Sequence, residues 1–277
     1  MADNNKKPTL LVTGASGGMG RACALLAAGK GYDLILSDLH SDKLAQLAKE
    51  CVARGATTRC LPLDLADADA IRRFAAELGS TELDAIIHTA GLSPRMADWQ
   101  KVVQVDLIAA VDLLEQLRPI LLPGGCALAI SSMSGHMVPP NPSLEQLLGQ
   151  PLNPLLLQQL EEQQSQVLNI PGLGYAYAKR ALTTWVKGTA MAWGKEGKRL
   201  VSLSPGLIDT PMGQLEAEGD PQGHLGRLGL VSLGREGQPR EIAAAALFLV
   251  SPDASYISGC DLLVDGGCVG TLQTRQP

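Results

Sequence analysis

The chain has 277 residues, of which 45% are hydrophobic and 18% are charged, against about 25% charged in an average protein. These values predict a compact globular protein, and the length suits one large α/β domain or two small ones. A formal net charge of -5 and a pI near 5.4 exclude the basic face that nucleic-acid binding requires.

The start of the chain, "MADNNKKPTLLVTGA", has a polar lead and a short apolar run, which do not predict a signal peptide. No stretch reaches the roughly 18 consecutive apolar residues of a membrane span. Six cysteines lie apart, without C-x-x-C spacing or neighbouring histidines, so we expect free thiols and no metal site. These features predict a soluble, cytoplasmic protein that binds neither nucleic acid nor membrane.

Short apolar runs alternate with helical patterns along the whole chain. Because the runs are continuously apolar, they predict strands covered on both faces, as in a parallel sheet. We expect strands at 9–14, 33–38, 58–65, 83–91, 126–132, 199–206 and 261–267, and helices at 21–29, 41–54, 68–78, 99–121, 175–194 and 239–250. This strict alternation predicts an α/β fold with one doubly wound domain over residues 1–277.

A glycine-rich turn, "TGASGGMG", follows the first predicted strand and opens the first helix. Gly14, Gly18 and Gly20 allow a tight turn that can approach a pyrophosphate at the helix N-terminus, although glycines also serve ordinary turns. Asp38 lies 18 residues after Gly20, where a carboxylate can accept from ribose hydroxyls. A carboxylate there would repel the 2′-phosphate of NADP, and no Arg or Lys follows it before Lys43, so the sequence predicts NAD.

The segment "YAYAKRAL" holds two tyrosines, and only Tyr175 has a lysine, Lys179, four residues later on the same helical face. Tyr177 has Ala181 at that offset, so Tyr175 is the predicted proton donor or acceptor. The ammonium group of Lys179 is expected to lower the phenol pKa from its usual value near 10. The Y-x-x-x-K spacing also suits an ordinary surface pair, so the other motifs of the chain decide whether this pair is catalytic.

Taken in order, these motifs resemble the classical short-chain dehydrogenase/reductase family over nearly the whole chain. The resemblance rests on "TGASGGMG", Asp38, "DL" at 64–65, "TAG" at 89–91, "ISSMSG" at 130–135, "YAYAK" at 175–179, "SPGLIDTP" at 204–211 and "SYISGCDLLVDGG" at 255–267. It implies a Rossmann fold with a seven-stranded parallel sheet, a nicotinamide cofactor at the carboxyl ends of the strands, and hydride transfer at a carbonyl carbon.

The resemblance also implies roles for individual residues. It makes Ser132 the hydrogen-bond donor to the substrate oxygen, Tyr175 the proton donor or acceptor, and Lys179 the group that holds the nicotinamide ribose. The cofactor-binding residues that it implies are Gly14, Ser16, Gly18, Met19, Gly20, Asp38, Leu39, Asp64, Leu65, Ala90, Gly91, Tyr175, Lys179, Pro205, Ile208 and Thr210.

Two positions depart from the family's pattern. His88 and Thr89 replace two asparagines, and we expect His88 to be a satisfied structural group rather than a catalyst. Asp106 replaces a helix asparagine that holds a water in the family's proton relay. A carboxylate can accept from that water and pair with Lys179, but it cannot donate as an amide does. We therefore expect Asp106 in the catalytic group, with activity retained and a changed pH profile.

An insertion separates Ser132 from Tyr175, which are 43 positions apart, about three times the family's usual gap. We expect it at about 137–172, with two helices capped by Ser143 and Asn153. The predicted geometry is a helical hairpin over the active-site mouth, whose apolar stripe faces the substrate mouth or a partner subunit.

The insertion and the segments "YAYAK" and "AMAWGKEGKRL" resemble the bacterial 3α-hydroxysteroid dehydrogenase/carbonyl reductase branch. That resemblance implies NAD-linked interconversion of a secondary alcohol and a ketone, on a sterol or another apolar compound, and a homo-oligomer, of which we expect a dimer. Because the chain has few aromatic residues, we expect pocket walls made largely of aliphatic side chains. The expected wall residues are Met133, His136, Met137, Leu207 and Met212.

Two alternatives stay open. A non-catalytic, nucleotide-sensing binding protein of the same fold fits the exchange at Asp106, although the presence of Ser132, Tyr175 and Lys179 argues against it. An enoyl reductase of the same superfamily expects a longer spacing between tyrosine and lysine than the four residues present.

Overall fold

The structure is a computed structural model and describes residues 6–274. Its centre is a seven-stranded parallel sheet with strand order β3-β2-β1-β4-β5-β6-β7. The strands are β1 (Thr9–Thr13), β2 (Asp33–Ser37), β3 (Thr58–Cys60), β4 (Leu83–His88), β5 (Leu121–Ile130), β6 (Arg199–Pro205) and β7 (Asp261–Val264). The predicted Rossmann-type α/β fold is confirmed.

Helices cover both faces of this sheet. They are α1 (Gly18–Gly29), α2 (Ser41–Val52), α3 (Ala68–Leu78), α4 (Trp99–Val103), α5 (Ala110–Leu117), α6 (Pro142–Leu148), α7 (Leu156–Leu168), α8 (Leu173–Gly194), α9 (Pro211–Gly219), α10 (Pro221–Leu228), α11 (Pro239–Val250) and α12 (Cys268–Thr274). Within the described residues, none of them is both long and apolar enough to cross a membrane.

The continuously apolar runs form strands because each face of the sheet is buried. Leu11 and Ile86 belong to the apolar core on one face, whereas Leu10, Val12 and Ile87 belong to the core on the other. Side chains alternate between faces along a strand, so both sets must be apolar. This double burial explains why the run pattern located the central strands, whereas the edge strands β3 and β7 are only partly buried.

Several predicted elements have different bounds; β5, for example, begins at Leu121 rather than at residue 126. β3 ends at Cys60 rather than at residue 65, although Leu61 and Leu63 beyond it still donate to the carbonyls of Leu36 and Asp38. The helix expected over 99–121 is interrupted by a π-helical turn, Gln104–Ala109, and its α-helical part ends at Leu117. A π-helical turn carries a wider hydrogen-bonded ring than an α-helix and is frequent at functional sites.

The insertion consists of α6 and α7, and it packs on the body of the protein. Its apolar stripe lies in the same core as α4 and α8, with five side chains at most 2% exposed: Leu144, Leu148, Leu156, Leu160 and Leu168. The expectation that this stripe faces the substrate mouth or a partner subunit is therefore wrong. An amphipathic helix buries its apolar face against the nearest apolar surface, which α4 and α8 supply.

Polar contacts and caps complete the docking of the insertion. Glu145 of α6 pairs with Arg180 of α8 at 3.0 Å, from carboxylate oxygen to Nε. Asn141, rather than the predicted Ser143, caps α6 by accepting from the N–H of Leu144. Asn153 accepts from the N–H of Leu155, just before α7 begins.

Candidate active site

The strand order reverses between β1 and β4, and the crevice at their carboxyl ends holds the glycine-rich turn. Gly14 has φ +65°, and a Cβ atom there would lie 2.5 Å from the backbone nitrogen of Ala90. A Cβ atom on Gly18 would lie 2.6 Å from the side chain of Thr210. Glycine is therefore required at both positions, and it leaves the N-terminus of α1 open to an anionic ligand.

Asp38 lies beside this turn at the end of β2. Its carboxylate accepts from the backbone N–H of Ser16 at 2.9 Å and from that of His40 at 3.3 Å. Arg21, the basic residue in the first part of α1, is paired with Glu50 at 2.6 Å. The glycine-rich turn therefore has the carboxylate of Asp38 beside it, whereas the guanidinium group of Arg21 is paired with Glu50.

The other predicted cofactor residues follow the carboxyl ends of the strands. Pro205 ends β6, and Thr210 caps α9 by accepting from the N–H of Gly213 at 3.0 Å. Leu39 follows β2, Asp64 and Leu65 follow β3, Ala90 and Gly91 follow β4, and Ile208 follows β6. The glycine turn, the helix N-terminus and a ribose acceptor at Asp38 lie at one edge of the sheet, which fits a dinucleotide.

Ser132 and Tyr175 line one cavity of about 470 Å³ at this edge of the sheet. Ser132 follows β5, and its hydroxyl accepts from the backbone N–H of Ser134 at 3.2 Å. Tyr175 lies on α8, with the Nζ of Lys179 5.5 Å from the centre of its ring. The hydroxyl of Ser131 donates to the carbonyl of Lys179 at 2.9 Å, which ties α8 to β5. After the roles predicted for these residues, we call the side of the cavity at Ser132 and Tyr175, with Lys179 behind it, the catalytic wall.

Lys179 and Asp106 form a buried ion pair behind Tyr175. The Nζ of Lys179 lies 3.1 Å from the Oδ2 of Asp106 and donates to the carbonyl of Ile130 at 3.3 Å. The other carboxylate oxygen of Asp106 accepts from the N–H of Leu92 at 2.7 Å. Burial raises the pKa of Asp106, although Lys179 and this N–H oppose the rise. The predicted pairing of Asp106 with Lys179 is present in the structure.

The pKa of Tyr175 is raised from its ordinary value, in contrast to the expected lowering. Burial is the main cause, and the negative charge of Asp106 adds to it, while a hydrogen bond with Ser132 acts in the opposite direction. Asp106 pairs with the ammonium group of Lys179, so the positive charge that was expected to stabilise the phenolate is largely balanced.

His88 lies at the end of β4 and is 1% exposed. Its Nδ1 is 2.7 Å from the hydroxyl of Thr13, while its Nε2 has no partner among the described residues. Burial, with a smaller contribution from Lys179, lowers the pKa of His88 to about 3, so the ring is neutral. This fits the structural role expected of His88, although only one ring nitrogen is satisfied.

Four of the five expected wall residues line the cavity: Met133, Met137, Leu207 and Met212. The fifth assignment, His136, is wrong. Its Nε2 lies 2.7 Å from the carboxylate of Asp261 on β7 and 3.3 Å from the hydroxyl of Ser204. The imidazole gains polar partners at the edge of the sheet, which an aliphatic pocket wall does not provide.

The cavity is also lined by charged groups that the sequence did not assign to it. α9 and α10, which we call the lid, follow β6 and bring several of them to the cavity. The charged and titratable residues that line this side are Arg95, Glu216, Asp220, His224 and Arg227. The segment from Pro211 to Leu233, which directly follows "SPGLIDTP", is expected from the sequence as a loop that forms part of the substrate lid, and the structure forms α9 and α10 there.

Known families match most of the chain. A family model described as short chain dehydrogenase matches residues 8–144, and one described as Enoyl-(Acyl carrier protein) reductase matches residues 163–269. The Levodione Reductase structure superimposes with a TM-score of 0.75 and 23% identity, covering 95% of this chain and 98% of that one. That likeness concerns the fold.

Several curated proteins are similar over nearly their whole length. An uncharacterized oxidoreductase, YxbG of Bacillus subtilis, is 28% identical over 94% of this chain and 90% of its own. The 3-alpha-hydroxysteroid dehydrogenase/carbonyl reductase of Comamonas testosteroni is 27% identical, covering 96% and 98%. The cyclohexanol dehydrogenase of Acinetobacter sp. is 27% identical, covering 95% and 94%. The chain therefore belongs to the short-chain dehydrogenase/reductase family, whose members are oxidoreductases that use a nicotinamide cofactor.

Proposed function

We propose that the protein is an NAD(H)-dependent oxidoreductase that interconverts a secondary alcohol and a ketone. The substrate that we propose is a hydroxysteroid or another bulky, apolar, cyclic compound. The observation that carries the proposal is the cavity that Ser132 and Tyr175 share, with Lys179 behind the tyrosine. Relatives named for a hydroxysteroid and for cyclohexanol support the substrate class.

The bound nicotinamide would supply the hydride acceptor for oxidation and the hydride donor for reduction. Ser132 would hold the substrate oxygen by a hydrogen bond, and Tyr175 would take the hydroxyl proton during oxidation and return it during reduction. Lys179 would hold the nicotinamide ribose and stabilise the phenolate. Asp106, 3.1 Å from the Nζ of Lys179, would fix the position of that ammonium group.

The dinucleotide would be held along the carboxyl ends of the strands. Gly14, Gly18 and Gly20 would bring backbone N–H groups and the N-terminus of α1 to the pyrophosphate. Asp38 would accept from the adenosine ribose hydroxyls, and its negative charge supports the proposal of NAD rather than NADP.

A dehydrogenase assay tests this proposal. Purified protein is mixed with steroid, alicyclic, aromatic and aliphatic secondary alcohols, with NAD and NADP in parallel, and reduced cofactor is followed by absorbance at about 340 nm. We expect turnover of a cyclic alcohol, with kcat/KM at least about tenfold higher for NAD, the ratio for about 1.4 kcal/mol. A preference for NADP would refute the role given to Asp38, and failure of every alcohol would refute the activity.

The alternative of a non-catalytic nucleotide sensor is less well supported, because relatives over nearly the full length are named dehydrogenases. The match to a model described as an enoyl reductase does not change this preference. Tyr175 and Lys179 are four residues apart, whereas an enoyl reductase of this superfamily expects a longer spacing.

We also propose that residues 1–277 form one domain and that the protein is a homodimer. The single sheet supports the first proposal. Exposed apolar side chains around β7 support the second, with exposed fractions of 47% for Phe248, 103% for Tyr256 and 37% for Leu262. Light scattering on the purified protein tests the dimer. The six free cysteines support a cytoplasmic location.

A further inference from the structure

The charged side of the cavity has no part in the hydride and proton transfers. Five titratable or charged side chains line it, on the lid and on the loop after β4: Arg95, Glu216, Asp220, His224 and Arg227. Ser132, Tyr175 and four expected apolar residues line the same cavity, together with further apolar and hydroxyl-bearing residues. The cavity therefore offers a substrate charged and hydrogen-bonding groups besides the hydroxyls of Ser132 and Tyr175, as well as apolar surface.

The charges on this side balance one another. Arg227 lies 3.4 Å from the carboxylate of Asp220, and His224 lies 2.7 Å from that of Glu236, which is outside the cavity lining. Arg95 donates to a backbone carbonyl at the end of α9. The two guanidinium groups are thus matched by the carboxylates of Asp220 and Glu216. A site without net charge gives an ionic substrate group little advantage over a neutral polar one.

Glu216 is the member of this set that is free to bind a neutral group. It is partly buried and lines the cavity. Burial raises the pKa of Glu216 above its ordinary value despite the nearby Arg227, Ser93, Arg95 and His224. A carboxylate accepts a hydrogen bond, so Glu216 suits a hydroxyl group of the substrate.

Glu216 also lies close enough to the catalytic wall to share one substrate with it. Its negative charge contributes, after burial and Asp106, to raising the pKa of Tyr175. Met133, Met137, Leu207 and Met212 line the same cavity and can pack on a hydrocarbon skeleton.

We propose that Glu216 binds a second, uncharged oxygen function of the substrate, a hydroxyl group remote from the reacting carbon. The preferred substrate is then an apolar ring compound with two oxygen groups, one at Ser132 and Tyr175 and one at Glu216. This inference rests on the proposed alcohol dehydrogenase function and narrows its substrate class.

Matched alcohols of increasing length test this proposal. Each pair compares a diol with the same ring system lacking the second hydroxyl: cyclohexane-1,4-diol with cyclohexanol, decalin-2,6-diol with decalin-2-ol, and 5α-androstane-3,17-diol with 5α-androstan-3-ol. For at least one pair we expect kcat/KM to be about tenfold higher for the diol, as one hydrogen bond of about 1.4 kcal/mol gives. Ratios near one in all three pairs would overturn the proposal.

Substitutions in the lid test whether Glu216 is the residue that binds the second oxygen group of the substrate. Glu216→Leu should abolish the preference for the diol, so that kcat/KM falls about tenfold more for the diol than for the mono-alcohol. Glu216→Gln should keep part of the preference because an amide can both donate and accept. Glu218→Gln, an exposed change two residues away on the same helix, is the control and should keep the full ratio. An equal loss for both alcohols in Glu216→Leu would overturn the proposal.

A binding measurement separates this inference from the proposed activity. If no alcohol of any pair is turned over, the alcohol dehydrogenase function fails, and titration calorimetry with decalin-2,6-diol and the NAD-loaded protein decides the binding site. Binding by the wild type that is lost in Glu216→Leu and kept in Glu218→Gln supports the site. Equal binding by all three proteins, or no binding by the wild type, refutes it.

Discussion

Tyr175 and Lys179 stand on α8, ten of whose residues are buried, whereas Glu216 and Arg227 stand on α9 and α10, which have no fully buried residue. α8 is tied to β5 by the hydroxyl of Ser131 and packs in the same core as the insertion. The lid is held mainly by caps and surface pairs, such as that between Asp220 and Arg227. The proposed chemistry thus lies on the rigid part of the molecule and the proposed substrate selection on a part with little packing to restrain it.

The largest expected effect concerns the rigid side. Tyr175→Phe removes the proposed proton donor and acceptor, and we expect kcat for alcohol oxidation to fall about 10²- to 10⁴-fold. Tyr177→Phe is the matched control, because its hydroxyl donates to the carbonyl of Pro139 at 2.9 Å and does not line the cavity. It should keep its kcat and lose about 1 kcal/mol of stability. If Tyr177→Phe loses kcat and Tyr175→Phe keeps it, the proton donor and acceptor is Tyr177 rather than Tyr175.

Truncating a side chain should also destabilise the packed region of the protein more than the lid. Leu160→Ala, in the buried face of the insertion, should lower the free energy of unfolding by about 2–5 kcal/mol in urea denaturation. Leu225→Ala, at a lid position that is 59% exposed, should change it by less than about 0.5 kcal/mol. If the lid variant is destabilised as much as the insertion variant, the lid is part of the core and the contrast fails.

The pH profile should reveal the charge behind the catalytic wall. The carboxylate of Asp106 helps to raise the pKa of Tyr175, so Asp106→Asn should lower that pKa. Alcohol oxidation requires the phenolate, and its rise with increasing pH should therefore move to lower pH in the variant. Asp112→Asn, at a residue that bonds Gln116 on α5, should leave the profile unchanged. A shift to higher pH in Asp106→Asn would contradict the electrostatic argument.

The smallest expected effect concerns the link between the turn after Ser132 and β7. Burial opposes ionisation of Asp261, but hydrogen bonds from His136, Ser202 and Ser204 lower its pKa. The ionised carboxylate therefore adds stability above its unfolded pKa, near 4, and this stability is lost as the pH falls through the lower folded pKa. Asp261→Asn should cost about 1 kcal/mol at neutral pH, and progressively less in acid.

Urea denaturation between neutral and acidic pH measures this loss. Asp253→Asn, an exposed change in the segment before β7, should show no such pH-dependent difference from the wild type. A constant deficit of Asp261→Asn down to the lowest pH would show that packing, rather than charge, explains the loss.

Sequence reasoning was most successful where one physical requirement dominates. Buried strands must be apolar on both faces, and the close approach of Gly14 to the backbone of Ala90 requires glycine. Both requirements produce patterns that can be recognised in the sequence. The surface on which the insertion packs could not be predicted from the sequence, because an apolar stripe shows which face of a helix is buried and not what covers it.

Charged groups were the least predictable. Glu216 and His136 are common surface residue types, and only the fold shows that one faces the cavity and the other Asp261. The pKa of Tyr175 was also misjudged, since Lys179 could be placed by its spacing while the balance between its charge and that of Asp106 depends on burial.

The π-helical turn at Gln104–Ala109 lets one continuous helical segment serve two neighbours. An α-helix advances about 100° per residue, so one additional residue in a turn rotates everything after it by about that angle. Before the turn, Trp99 donates to the side chain of Asn169 at the end of the insertion. After it, α5 packs against α3 and β5, and within it Asp106 reaches Lys179. A chain one residue shorter here would have to give up either its contact with the insertion or its contact with Lys179.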